Sequence, residues 1–360
     1  MRSSGAQEPV SLGGSPHAEL PPHVREAAAS VPGRSAYTMA SGEPALRQAI
    51  VDALTEEGHT AQADRVVVTN GAMQALDVCF RTLLRPGDGV LFPQPGYFID
   101  GLVHRAGGVL QGFRSDPADR FRPDWEHAAE RVTERTKILF LNSPVNPTGY
   151  VYSAEDLSQA SRLAELYDLW ILSDESYSKF LYGDATHISP HSLGEVRGRT
   201  ILVRSFSKDY AMSGWRLGYI VCPVGVFQDI ADTMEWSCLC VNRAAQAAGV
   251  AALTGPQGWV REFVQESDRL GQLASQLINV VPRLHCFAPR GGLNLFVRYD
   301  GDVDSLVSRA VFELGVPIQP GSAFGLDGHF RFQFGGTEEA IRRGAERLAQ
   351  AVARDPATVP

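Results

Sequence analysis

One stretch of this 360-residue chain concentrates groups that can act together, the segment from Val203 to Tyr219. Lys208 follows two hydroxyls, Ser205 and Ser207, and precedes a fixed cation, Arg216. An amine that attacks a carbonyl carbon must be deprotonated part of the time, and a nearby cation or an apolar pocket lowers its pKa toward neutrality. Two hydroxyls and a guanidinium also form a good shell for a phosphate dianion. A lysine held beside a phosphate suggests a Schiff base to pyridoxal phosphate. A lone motif of this kind is more often an exposed lysine in a Ser/Gly-rich loop. Here the apolar runs Ile201 to Val203 and Leu217 to Val221 flank it, which places it between two buried strands.

Four more polar clusters follow apolar strands, where open α/β sheets hold their ligands. Thr69 to Ala75 leads through Gly71 into a helix, whose first N–H groups, at Gly71, Ala72 and Met73, suit a phosphate. Pro93 to Phe98 is a proline-stiffened loop presenting Tyr97, an aromatic able to stack on a pyridine ring. Leu141 to Gly149 carries Asn146, an amide donor for a phenolate oxygen. Ser173 to Ser178 carries Asp174, able to pair with a protonated pyridine nitrogen and keep the ring an electron sink, and Tyr177, a second phenolate donor. Singly, each cluster reads as a turn, a packing tyrosine or a helix cap. Together they serve one cofactor in a workable order.

The elements that must position these residues alternate from Arg65 onward. Strands are expected at Arg65 to Val68, Gly89 to Phe92, Val109 to Phe113, Lys137 to Leu141, Leu169 to Leu172, Thr200 to Val203 and Tyr219 to Cys222. Helices are expected at Ala45 to Glu57, Gly71 to Leu84, Trp125 to Val132 and Ala154 to Tyr167, the last opened by Ser153 and Asp156. Continuous apolar strands separated by helices indicate an α/β fold with a mostly parallel sheet covered on both faces. After a helical Gln246 to Leu253, a long amphipathic helix spans Trp259 to Val280. Alternating strands follow at Gly291 to Arg298, Gly315 to Ile318 and His329 to Phe334, with helices at Val303 to Glu313 and Thr337 to Ala353. This pattern predicts an N-terminal arm (1–40), a large cofactor-binding domain (41–255) and an interdomain helix with a small α+β domain (256–360), the arm contributing to the latter.

Lys+Arg 33 against Asp+Glu 41 gives a net charge of −8, so nucleic acid has no electrostatic support as a partner. The five cysteines are odd in number and mostly lie in apolar runs, as reduced core residues of a cytoplasmic protein do. Cys238 and Cys240 lack a second ligand pair at metal-site spacing, so no metal is expected. No export signal and no membrane-spanning run is apparent, and a soluble protein is expected.

Three motifs carry a resemblance. Asn142-Ser-Pro-Val-Asn-Pro-Thr-Gly149, Asp174-Glu-Ser-Tyr177 and the segment Ser205 to Gly218 together resemble the class I/II aminotransferases of pyridoxal-phosphate fold type I, the aspartate aminotransferase superfamily. The resemblance spans nearly the whole chain. It implies that Lys208 is the Schiff-base lysine, Asp174 the partner of the pyridine nitrogen and Tyr97 the stacking aromatic. Asn146 and Tyr177 then bond the ring hydroxyl, while Ser205, Ser207, Arg216 and the backbone at Gly71, Ala72 and Met73 hold the phosphate. Tyr37 resembles the tyrosine that reaches the neighbouring subunit's phosphate, which implies a homodimer with shared sites. Arg331, on the face of its strand opposite its aromatic neighbours, resembles the arginine that grips a carboxylate, helped by Gly14 and Asn146.

The resemblance implies an aminotransferase acting on an amino acid and a 2-oxo acid by ping-pong kinetics. A lyase or cyclase acting by elimination, replacement or decarboxylation would use the same residues. A non-catalytic ligand sensor is a third reading, disfavoured by the negative charge and the lack of a basic helix-turn-helix segment. Two departures stand out: a short N-terminal segment with its glycines at Gly13 and Gly14, and Cys238 to Arg243 in place of a Ser/Asn/Pro-rich turn. Arg243 is expected either to meet a distal acidic group in the partner's site or to make an interface ion pair.

Overall fold

Runs of β-branched and aliphatic residues with no polar alternation can be buried only on both faces, and they assemble into one large sheet. The computed structural model describes residues 7–33 and 36–354. The strands are β1 (Val66–Thr69), β2 (Gly89–Gln94), β3 (Val109–Asp116), β4 (Arg122–Pro123), β5 (Thr136–Asn142), β6 (Trp170–Asp174), β7 (Thr200–Ser205) and β8 (Gly218–Val221). Their order is β1-β8-β7-β6-β5-β2-β3-β4. From β7 to β3 every neighbouring pair is parallel; β8 runs antiparallel to both β1 and β7, and β4 antiparallel to β3. The chain therefore brings the C-terminal ends of β1, β5, β6 and β7 to one edge, with the start of β8 among them. Gly218 opens β8 where a Cβ would stand 2.8 Å from the Gly71 carbonyl carbon, so only glycine lets the two backbones approach.

Helices cover this sheet: α1 (Pro22–Ala29), α2 (Pro44–Glu56), α3 (Ala72–Leu83), α4 (Asp100–Arg105), α5 (Trp125–Arg131), α6 (Ala154–Leu166), α7 (Phe206–Asp209), α8 (Phe227–Cys238) and α9 (Arg243–Thr254). Ser153 and Asp156 form the expected capping box of α6, each side chain bonding the other's backbone N–H. Helix α3 buries Ala75, Leu76, Val78, Cys79 and Phe80 in the main core. Its sequence lacks an N-terminal side-chain cap, so its first N–H groups are left for something else.

The 22-residue helix α10 (Gly258–Asn279) buries Val260, Phe263, Leu270, Ala274 and Ile278 along one stripe. Beyond it stand β9 (Leu284–His285), β10 (Asn294–Tyr299), α11 (Val303–Ser308), β11 (Gln319–Pro320), β12 (His329–Gln333) and α12 (Glu338–Ala353). The four strands form a second, antiparallel sheet in the order β11-β12-β10-β9. Residues 7–13 lie along this part: Val10 N–H donates to Gly315 O at 2.8 Å and Gly335 N–H to Gly13 O at 3.2 Å. Helix α1, in contrast, packs on α9.

Several expected boundaries move. Gly315 to Ile318 is not a strand; the pairing begins at Gln319, and β10 starts at Asn294 rather than Gly291. The helix expected over Val303 to Glu313 is α-helical to Ser308 and then continues as a π turn, Arg309–Glu313. Helices α4 and α8 were not anticipated, although Phe227, Ile230, Ala231 and Met234 of α8 have helical spacing.

Candidate active site

The strand ends enclose a cavity of 420 Å³. Gly14, Ala72, Met73, Tyr97, Asn146, Asp174, Tyr177, Ser205, Ser207, Lys208, Arg216 and Arg331 all line it. Residues from six separate stretches and from the second sheet thus meet around one cavity.

Lys208 projects from the one-turn helix α7, which Ser205 caps by accepting from Ser207 N–H at 3.1 Å. The Lys208 ammonium donates to the Gly14 carbonyl and lies 6.0 Å from the centre of the Tyr177 ring. Burial, followed by the charges of Arg331 and Arg216, lowers its pKa to about 8. At neutral pH a useful fraction of the amine is therefore free to act as base or nucleophile.

At one end of the cavity, Arg216 takes a left-handed backbone conformation, φ 54°. It donates to Ser213 O at 2.8 Å, Asn70 O at 3.2 Å and Ser207 Oγ at 3.4 Å. Gly71, φ 84°, permits this, since a Cβ there would stand 2.5 Å from Arg216 Nη2. A guanidinium, two hydroxyls and the uncapped start of α3 converge here, a shell for a multiply charged anion.

Deeper in, Asp174 ends β6. Its carbonyl accepts from Ser143 N–H at 3.1 Å and Asn142 Nδ2 at 3.0 Å, which fixes the loop. Its carboxylate Oδ1 accepts from Ser176 N–H at 3.0 Å and Ser176 Oγ at 2.6 Å, and neither bond uses Oδ2. Burial raises the Asp174 pKa to about 6, against the pull of the Ser176 bonds. Asn146 is held by its own N–H, which donates to Asn142 Oδ1 at 2.8 Å. Burial raises the pKa of Tyr97 and of Tyr177, so both phenols remain neutral donors.

Arg331 enters from β12, while its neighbours Phe330 and Phe332 point into the core. It donates to Asn146 Oδ1 at 3.0 Å and to the Gln319 side chain, and it lies 4.9 Å from the Phe324 ring centre. Its Nε is buried without a partner among the described residues. A buried guanidinium with a spare N–H is suited to an incoming carboxylate.

Three expected residues do not line the cavity, the first being Gly71, which lies behind Arg216. Tyr37 is 82% exposed and does not line the cavity of its own chain. Arg243 is exposed and pairs with Glu43 of the same chain at 3.0 Å. Other lining residues were not singled out from the sequence: Asn142, Ser176, Phe98 and Gln333. Gln333 carries a signal in the sequence, since it lies two positions after Arg331 on the same strand and shares its face.

The sequence pattern of the family described as Aminotransferase class I and II matches residues 11–348. The chain belongs to the class I and II aminotransferases. Among its relatives, the aspartate/prephenate aminotransferase of Thermus thermophilus is 32% identical over 364 residues, covering 98% of this chain and 93% of the relative. The aspartate aminotransferase of Geobacillus stearothermophilus is 32% identical, with 94% and 90% covered. The solved aspartate aminotransferase from Rhizobium meliloti superposes with a TM-score of 0.90 at 31% identity, covering 96% of this chain and 92% of that one. The aromatic aminotransferase from Pyrococcus horikoshii gives 0.89 at 31% identity, with 95% of each chain covered. The protein is a pyridoxal-phosphate-dependent aminotransferase of the aspartate aminotransferase fold. This family membership favours amino transfer over the elimination, replacement, decarboxylation and cyclisation readings.

Proposed function

We propose that Lys208 is both the covalent anchor of the cofactor and the base of this aminotransferase, and that Arg331 orients an α-amino acid through its carboxylate. The observation that carries this reading is one cavity in which a lysine with a pKa lowered to about 8 meets a buried carboxylate, Asp174, and a buried arginine with an unpaired Nε. The donor set fits pyridoxal phosphate. Arg216, Ser205, Ser207 and the N–H groups of Gly71, Ala72 and Met73 suit its phosphate, and Asp174 suits a protonated ring nitrogen. Asn146 and Tyr177 suit its ring hydroxyl, and Tyr97 its face. When bound, the cofactor supplies an electron sink for the charge left at Cα.

The residues divide the remaining work. Arg331, with Asn146 and Gly14 beside it, holds the α-carboxylate and so presents the Cα proton to Lys208 Nζ. Lys208 would accept that proton at Nζ and could give it back, because a pKa near neutrality serves both directions. Asp174, when ionised, holds a proton on the ring nitrogen. Relatives named for aspartate make aspartate the first donor to try, with 2-oxoglutarate as acceptor. The test mixes purified protein with single amino donors and follows the visible absorbance of the cofactor. A shift with a donor, reversed by a 2-oxo acid and abolished in Lys208→Ala, is expected. Unchanged turnover in Lys208→Ala would overturn the reading.

We also propose a homodimer in which Tyr37 reaches the partner's phosphate site. Tyr37, Met39, Trp236 and Leu239 are 82%, 55%, 91% and 45% exposed. Gln246 ties their segments together through Thr38 Oγ1 at 3.2 Å and Val241 O at 2.9 Å. An apolar group of this kind beside a cavity is a natural subunit contact. Sedimentation velocity at micromolar protein tests the dimer. Mixed dimers of Lys208→Ala and Tyr37→Phe subunits test the sharing. The domain division at 41–255 and 256–360 has support, for the start of the N-terminal arm, in the bonds of Val10 and Gly13 to Gly315 and Gly335, while α1 of the same arm packs on α9. Five free cysteines support a reducing compartment, the cytoplasm, which cell fractionation would check.

A further inference from the structure

Next to the cavity, but not lining it, lies a buried ionic cluster that the chemistry above does not use. Its centre is Arg204, 4% exposed, the penultimate residue of β7. Alternation along the strand turns Arg204 away from the cavity and the next residue, Ser205, toward it. Arg204 Nη2 and Nε donate to Glu175 Oε2 at 3.1 and 3.3 Å, and Nη1 donates to Glu57. Glu175, fully buried, also accepts from Ser173 Oγ at 3.0 Å, Ser189 Oγ at 2.5 Å and His187 Nε2 at 3.0 Å.

Arginine only donates, so His59 Nε2, 3.2 Å from Arg204 Nη2, accepts. The His59 proton must then sit on Nδ1, facing His191 Nδ1 at 3.4 Å. Glu57 holds Lys179 at 3.0 Å, and Asp209 accepts from Ser178 Oγ at 3.0 Å and Lys179 N–H at 3.4 Å. Each of four cluster residues is one position from a cavity residue. Arg204 precedes Ser205, Glu175 follows Asp174, Ser178 follows Tyr177 and Asp209 follows Lys208.

A buried ion pair is weak evidence for stability, because well-packed apolar residues often serve as well. What apolar packing does not supply is a fixed register between two segments. The Arg204–Glu175 and Asp209–Ser178 links join the segment bearing Ser205, Ser207 and Lys208 to the loop bearing Asp174 and Tyr177. We propose that Arg204 is a positioning residue: held by Glu175 and Glu57, it sets the spacing between these two segments, and so the grip on the cofactor, without touching it. The proposal rests on the roles given above to Lys208 and Asp174.

The test compares Arg204→Lys, which keeps the charge but loses the planar fork, with Leu163→Ala, a substitution in a separate core cluster under α6. Two quantities are read: the dissociation constant of pyridoxal phosphate, and the pH midpoint of the visible absorbance of the lysine-bound cofactor. Arg204→Lys is expected to weaken cofactor binding about tenfold, as losses behind a binding shell do, and to move the midpoint by about half a pH unit. Leu163→Ala, with a comparable fall in melting temperature, leaves both unchanged. If the two variants match in both readings, Arg204 serves stability alone and the proposal is overturned. Should Arg204→Lys fail to fold, Glu57→Gln, on the partly exposed partner, is judged against Leu163→Ala by the same two readings, with a smaller shift of the same direction expected. If Lys208→Ala keeps the lysine-type absorbance, the role of Lys208 itself fails and this proposal falls with it.

Discussion

Asp174 and Glu175 are neighbours in sequence, both buried, yet they belong to two regions with opposite electrostatics. Asp174 faces the cavity, where among the described residues Ser176 alone bonds its carboxylate, and burial raises its pKa to about 6. Glu175 turns to the Arg204 cluster. Burial alone would raise its pKa, but His187 and Arg204 pull it well below the usual carboxylate range. The same contrast holds between the arginines: Arg331 keeps a buried Nε unpaired, whereas Arg204 is bonded through all three of its nitrogens. Spare polar capacity on Arg331 suits a residue awaiting a ligand, and the fully bonded guanidinium of Arg204 suits one that holds the fold in shape.

The strongest way to break this contrast is Lys208→Ala. It should lower kcat by about 10⁴-fold or more in a donor half-reaction, since it removes base and anchor together, with stability of the apo-protein little changed. Next, Glu175→Ala strands a buried guanidinium and should cost about 3–5 kcal/mol in urea unfolding of the apo-protein. Near pH 4, where Asp174 is already protonated in the fold, Asp174→Asn should leave that stability within about 1 kcal/mol, while cofactor affinity and turnover fall. If the two carboxylate variants behave alike, the division into regions is wrong. Arg331→Leu should reduce kcat/KM for amino donors about 10²-fold, mostly through KM, as loss of a carboxylate grip does.

The pH dependence of the apo-protein separates the regions by sign. The raised pKa of Asp174 favours its neutral form in the fold. Its contribution is therefore full below the usual aspartate value of 3.8 and is lost as pH rises through about 6. Burial, then His59, lowers the His191 pKa to about 4 from 6.5, so the neutral ring is favoured and stability falls as pH drops between those values. Each effect is worth about 3 kcal/mol or less, and Asp174→Asn and His191→Gln should remove one each from the urea-midpoint profile. The smallest effect is Ser153→Ala, which removes the α6 cap far from both regions. It should cost about 1 kcal/mol and leave cofactor binding unchanged.

The cavity was more legible in sequence than the cluster behind it, for a physical reason. Lys208, Asp174, Asn146 and Gly71 each follow an apolar strand within a few residues, so local pattern places them at one sheet edge. Arg331 was legible because its neighbours Phe330 and Phe332 must take the other face. The cluster joins Glu57 and His59, Glu175, His191 and Arg204 from four places in the chain, and no local periodicity links these places. The failed strand at Gly315 to Ile318 is a case of propensity overruled, since Gly315 and Ile318 are spent on other partners before pairing begins at Gln319. The place of Tyr37 depends on a surface that one chain does not contain.

The Lys208 bond to the Gly14 carbonyl has a mechanical side. Gly13, the preceding residue, accepts from Gly335, just beyond the end of β12. The lysine is thus tethered, through two residues of backbone, to the second sheet, which also supplies Arg331. If Lys208 anchors the cofactor as proposed, its bond to Gly14 is the contact through which the state of that amine bears on the segment at the other side of the cavity.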